Sequence, residues 1–306
     1  MRKIISLILL ISMLVFCAVS CTPNGQNNNS TENVSNPNNN NSGNANNTVD
    51  TGKKVLLVSI DGLRSDAFLE SQYANTIMEQ STHYLGATTI YPSYTLPCHM
   101  SMHHGVSPES HGVYSNTYTP AEDLVDGIAE TAAKAGKSCA YFYNWGPLGD
   151  VISDDALVKR EYIAGETLGW PQSNTDLALA CKDYLLENDT DFTFLYLGNL
   201  DDAGHNYGWL SEAYYDALDS SLELVLDILE ILSDKYTIII TADHGGHDYT
   251  HGTSMPEDMT IPILIIGEDF EKNKECDGGS ILDIAPTIAD ILGVSPQEAW
   301  EGESLK

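Results

Sequence analysis

Short, unbroken apolar runs alternate along the chain with longer stretches in which apolar and polar positions interleave. The runs predict strands at 55–60, 138–142, 192–197, 236–241 and 261–266. The interleaved stretches predict helices at 121–135, 174–186, 212–232 and 280–292, the last kinked or broken at Pro286. The 236–241 run, Tyr-Thr-Ile-Ile-Ile-Thr, is rich in β-branched residues and reads as a strand buried on both faces, as in a parallel sheet. Strands alternating with helices predict an α/β fold with a central, mostly parallel sheet between helical layers.

The first fifty residues follow another pattern. Met1-Arg2-Lys3 is basic, and an apolar run from Ile4 to Val19 leads to Ala18-Val19-Ser20-Cys21. This order fits a bacterial lipoprotein signal over residues 1–20, with Cys21 as the lipidated new N-terminus. Thr22 to Asp50 holds 13 Asn and almost nothing that can enter a core. Residues 21–52 are therefore expected to be a disordered tether with a reach of about 30 Å. Residues 53–306 form the expected catalytic domain, held outside the cytoplasmic membrane by its lipid anchor.

Charge removes one class of partner. The chain has 14 Lys+Arg against 44 Asp+Glu, a formal charge of −30. Arg occurs only at 2, 64 and 160, so no basic patch is available and binding to a nucleic-acid duplex is not expected. An anionic substrate would need positive charge from elsewhere, and a metal can supply it. Cys98, Cys139, Cys181 and Cys276 are scattered without a CxxC spacing, so sequence alone chooses neither a disulfide pairing nor free thiols.

Four stretches carry chemistry. In VSIDGLR, Asp61 closes the first strand and Gly62 permits a sharp turn. In YPSYTLPCHMS, Pro97 suits the first turn of a helix, with Thr95 just ahead as a helix cap or as a nucleophile. In GNLDDAGH, Asp201 and His205 stand four apart just past an apolar strand, with Gly204 easing the turn. In TADHGGHDYTHG, Asp243, His244, His247 and His251 crowd the end of the 236–241 run. Acids and imidazoles at several strand ends have the ligand types of a zinc site, with manganese or iron less selectively held.

The ordered set Asp, Thr, Asp-x-x-x-His, Asp-His, His resembles the alkaline phosphatase superfamily. VSIDGLR, YPSYTLPCHMS, LDDAGH and TADHGG most resemble its type I phosphodiesterase/nucleotide pyrophosphatase branch, and SILDIAPTIADILG resembles that family's last helix. The resemblance runs from about Lys54 to Leu305. It implies an alkaline phosphatase-like three-layer sandwich and two Zn²⁺ ions. One ion would be held by Asp201, His205 and His251. The other would be held by Asp61, Asp243 and His244, with Thr95 both ligand and nucleophile. It implies hydrolysis of a small phosphorylated substrate, a diester or pyrophosphate, through a phospho-threonine. His251 is preferred over His247. The branch often has Asn where Cys98 stands, so Cys98 is a candidate substrate contact and a weaker donor. A sulfatase-type activation of Cys98 is excluded, because His99, Met100, Ser101 and Met102 follow it, without the Pro and Arg which that motif needs.

The stretch Tyr141-Phe142-Tyr143-Asn144-Trp145, with Tyr162 and Trp170, is read either as a small inserted lid that stacks on an aromatic group or as a satellite apolar cluster. The competing enzymatic readings are a phosphomonoesterase, a phosphonate hydrolase and a phospho-headgroup transferase. The competing non-enzymatic reading is a metal-binding surface lipoprotein, which would have no use for a nucleophile at Thr95.

Overall fold

The computed structural model describes residues 51–306. The expected signal, the lipidation site Cys21 and nearly all of the Asn-rich tether lie outside the described residues. The domain is built on one eight-stranded sheet: β1 (Val55–Ile60), β2 (Thr82–Thr88), β3 (Cys139–Tyr143), β4 (Lys159–Tyr162), β5 (Phe192–Leu197), β6 (Thr237–Thr241), β7 (Thr260–Ile266) and β8 (Lys274–Glu275). Their order across the sheet is β4-β3-β5-β1-β6-β7-β2-β8. Only β7 runs against the others, antiparallel to both β6 and β2.

The apolar runs explain the centre of this sheet. Every residue of β1, β5 and β6 is buried, as continuous apolar strands require when both faces are covered. Two sets of helices cover them. Thr95–His104, Ile128–Lys134 and Ile284–Leu292 pack on one another, and so do Trp170–Glu187, Asn199–Tyr207 and Glu212–Leu232. In register, Ser59 of β1 pairs with Tyr196 of β5 and Thr241 of β6. The three strands therefore end at one level. Among the described residues no helix is long and apolar enough to cross a membrane.

Several local expectations change. The helix expected at 121–135 spans only Ile128–Lys134. Gly127 precedes it because the chain there crowds its neighbours: a Cβ at Gly127 would lie 2.9 Å from Glu130 Oε2 and 3.0 Å from the His103 carbonyl oxygen. The helix expected at 280–292 is split into a 3₁₀ turn, Ile281–Asp283, and an α-helix, Ile284–Leu292. Pro286 falls in the first turn of that α-helix, where a missing N–H costs little. Residues 141–143 are not a lid. They are buried in β3, and Tyr141 packs on Phe194 of β5. Strands β2, β4 and β8 were not evident in the apolar pattern, because β2 is only half buried and β4 and β8 are short and polar.

Truncating the fully buried Ile239 of β6 to Ala should destabilise the protein by about 2–5 kcal/mol in denaturant melts. Because Pro286 lies in the first turn, Pro286→Ala should change stability by less than about 1 kcal/mol in the same melts.

Candidate metal centre

Adjacent strands deliver the acids. Asp61 follows β1 directly, and Asp243 stands two residues past the end of β6. β5 passes through Gly198 into the helix Asn199–Tyr207, which carries Asp201 and His205 one turn apart. The turn expected at this motif is thus a helix. Gly62 takes the positive φ of +73° that reverses the chain behind Asp61, and its N–H points to Asp243 Oδ1 at 3.2 Å.

Among the described residues, candidate ligand atoms gather in two groups of three, each within 4.8 Å. One is Asp61, Asp243 and His244; the other is Asp201, His205 and His251. The groups adjoin, since the His244 and His251 rings stack with centroids 3.7 Å apart and planes at 12°. His247 joins neither group. Its Nδ1 is 2.7 Å from Oδ1 of the buried Asp258.

The three imidazoles are turned alike. His244 Nδ1 faces the Gly245 carbonyl at 2.8 Å, His251 Nδ1 the Ser93 carbonyl at 2.8 Å, and His205 Nδ1 the Tyr249 carbonyl at 2.9 Å. A carbonyl only accepts, so each Nδ1 donates, and the neutral ring keeps a lone pair on Nε2. Those lone pairs face carboxylate oxygens. His244 Nε2 is 3.3 Å from Asp61 Oδ1 and 3.3 Å from Asp243 Oδ2. His205 Nε2 is 3.5 Å from Asp201 Oδ2, and His251 Nε2 is 3.7 Å from Asp201 Oδ1. Burial pushes His244 and His251 down to about 3, so these two rings carry no second proton at neutral pH.

The carboxylates are arranged to match. Tyr196 Oη donates to Asp61 Oδ2, and the backbone N–H of His244 donates to Asp243 Oδ1 at 3.0 Å. The remaining oxygens, Asp61 Oδ1, Asp201 Oδ1 and Asp243 Oδ2, are buried without a hydrogen-bond partner. Burial, and then repulsion from neighbouring carboxylates, holds Asp61 and Asp201 well above the usual carboxylate range. Burial also raises Asp243. Lone pairs aimed at orphaned carboxylate oxygens repel one another unless protons or cations lie between them. The donor set therefore fits divalent metal, and the Nδ1 partners are the outer contacts that orient metal-binding imidazoles.

Thr95 is the first residue of the helix Thr95–His104, with Tyr94 as its cap. Its hydroxyl does not cap the helix but lies 3.3 Å from His244 Nε2. It lines a cavity of about 230 Å³ together with Asp61, Asp201, His205, His251 and Asn116. Trp145 and Trp170, the outer members of the aromatic stretch, form another wall. Cys98 is not on this wall. It is buried behind the helix, where Thr89 Oγ1 donates to its sulfur, and burial pushes its thiol up. The residue on the wall is Asn116, whose Oδ1 accepts from the Leu96 N–H at 2.9 Å. Nothing local in the sequence marks Asn116, because its partner is 20 residues away. Tyr196 was hidden inside an apolar strand. Arg64 braces the metal loop, donating to the Gly246 carbonyl at 2.9 Å and to Asp66. The four cysteines of the domain are free thiols.

Comparison with known proteins agrees with this geometry. The sequence model of the type I phosphodiesterase / nucleotide pyrophosphatase family matches residues 55–260. The chain is 33% identical over 205 residues to a 2,3-bisphosphoglycerate-independent phosphoglycerate mutase of Clostridioides difficile (strain 630), covering 60% of this chain and 40% of that one. It thus spans less than half the length of that relative. Among solved structures, it is similar in fold to murine ectonucleotide pyrophosphatase/phosphodiesterase 5, described as an inactive threonine-to-alanine variant in complex with AMP. The TM-score is 0.67 at 16% identity, over 80% of this chain and 96% of that chain. It is also similar to the phosphonate monoester hydrolase of Agrobacterium radiobacter, with a TM-score of 0.66 at 14% identity, over 83% of this chain and 76% of that chain.

Asp243→Asn should separate folding from metal binding. The Asn keeps an oxygen for the Gly62 and His244 N–H groups and turns an N–H toward His244 Nε2. In EDTA it should raise stability by about 0.5–2 kcal/mol. A carboxylate whose folded pKa is raised favours folding at low pH and loses that contribution as pH rises through the folded value, so the advantage of the Asn should grow with pH. Zinc should stabilise the wild type and not the variant, as read by melts at pH 5 and pH 8.

Proposed function

The chain belongs to the type I phosphodiesterase/nucleotide pyrophosphatase family of the alkaline phosphatase superfamily, and from that premise we propose a metal-dependent hydrolase of phosphate diesters or pyrophosphates with Thr95 as nucleophile. One observation carries the proposal: the Thr95 hydroxyl stands on the cavity wall, 3.3 Å from an imidazole lone pair that faces two buried carboxylates. Asp61, Asp243 and His244, with the Thr95 oxygen, would hold one ion, and Asp201, His205 and His251 the other. When bound, two zinc ions (or manganese or iron) would neutralise phosphoryl oxygens and lower the pKa of the Thr95 hydroxyl.

The chain's own residues then account for the rest. Thr95 Oγ1 bonds to phosphorus as the bond to the leaving oxygen breaks, and water later cleaves the phospho-threonine. Asn116, fixed through its Oδ1, keeps its amide N–H groups for a phosphoryl oxygen. Among the described residues no Lys or Arg lines the cavity, and Arg64 is held by Asp66 and the Gly246 carbonyl. The second negative charge of a monoester would meet no side-chain cation there, which favours diesters. The inactive threonine-to-alanine form of the murine neighbour supports the role of Thr95 by analogy. The likeness to phosphoglycerate mutases favours a second reading, in which the phosphoryl group passes to another hydroxyl instead of water. The proposal includes the setting read from the sequence: attachment through lipidated Cys21, outside the cytoplasmic membrane.

Metal-loaded protein should hydrolyse bis-p-nitrophenyl phosphate faster than p-nitrophenyl phosphate. EDTA should abolish turnover, and Thr95→Ala should lower kcat on the order of a thousandfold. Equal turnover by Thr95→Ala would remove Thr95 as nucleophile. Faster monoester turnover would favour the phosphomonoesterase reading.

A further inference from the structure

We infer that Trp209 is a positioning residue that couples the two candidate ion sites, so that neither trio keeps its geometry without the indole. The inference rests on the two-ion reading above. Trp209 is 7% exposed and packs against the Gly62 turn, the helix Asn199–Tyr207 and the loop after His244, which carry or adjoin the candidate ligands. Its Nε1–H donates to the Gly62 carbonyl at 3.1 Å, one residue past Asp61. The N–H of the same Gly62 donates to Asp243 Oδ1, so one residue links the indole to two ligand carboxylates. On the helix that carries Asp201 and His205, a Cβ at Gly204 would lie 2.7 Å from the indole. On the loop after His244, a Cβ at Gly246 would lie 2.2 Å from it. Two glycines from different motifs thus leave room for one ring. The ring also stands edge-on to His205 at 5.1 Å and tilted to His251 at 6.0 Å. Its backbone N–H fixes the far end of the loop, bonding the Asp248 carbonyl at 2.8 Å.

A residue that only filled core volume would lower stability and leave metal affinity unchanged in protein that still folds. A shared wedge makes a different prediction. Shifting the indole moves His205, the Gly246 loop and the Gly62 turn together, and so loosens both trios at once.

The test is zinc titration of the metal-stripped, full-length protein by calorimetry, with circular dichroism to show that each protein is folded. Wild type should take up two ions. Trp209→Phe loses the bond to Gly62, and Gly246→Ala drives a methyl group against an unaltered indole. Each should weaken both binding events by about tenfold or more. Folded variants that bind two ions with unchanged affinity, or that lose affinity at one event only, would overturn the coupling. A wild type that binds no zinc would overturn the two-ion reading and this inference with it. If the variants do not fold, wild type labelled with 5-fluorotryptophan decides. The Trp209 resonance, assigned by replacing Trp145, Trp170 and Trp300 with Phe, should move at the first and again at the second equivalent of zinc. A resonance unmoved by either would contradict the inference.

Discussion

Buried lone pairs that face one another are the constraint around which the domain is arranged. Three carboxylates and three imidazoles converge at the ends of strands that are themselves buried throughout. Folding this set without cations costs free energy, and the carboxylates show it: burial and mutual repulsion raise their affinity for protons. The rest of the site keeps the arrangement from relaxing. Backbone carbonyls from Ser93, Gly245 and Tyr249 fix the imidazoles, and Tyr196 and two backbone N–H groups fix the outer carboxylate oxygens. A protein that only needed stability would place apolar residues there.

The sheet explains why this convergence is possible. Parallel strands in register end at one level, so residues far apart in sequence meet without long loops. Thr95 reaches the same place from a helix on one side of the sheet, and Asp201 and His205 from a helix that belongs to the other set.

Much of this was legible in the sequence, for a physical reason. A strand buried on both faces must be largely apolar and carry no charge, so β1, β5 and β6 stand out, and the charged residues just past them are conspicuous. That contrast singled out Asp61, Asp201, His205, Asp243 and His244, with His247 and His251 both open; the family resemblance chose His251, and the structure brings these six together without His247. Features that depend on contacts distant in sequence were not legible. Asn116 meets the helix that starts at Thr95 only through the fold, and Cys98, on that helix, faces the core instead. The aromatic run at 141–143 was open to reading as a lid or as an apolar cluster, because its partner Phe194 lies about fifty residues on, in another strand. Gly204 reads as a turn former in the sequence, although the indole of Trp209 occupies the space beside it and beside Gly246.

The central claim is that both trios are metal sites. Anomalous diffraction from zinc-soaked crystals, recorded on both sides of the zinc edge, tests it most directly. The account predicts two peaks, one among Asp61, Asp243 and His244 and one among Asp201, His205 and His251. No peak at either place, or zinc held instead by His247 and Asp258, would contradict it.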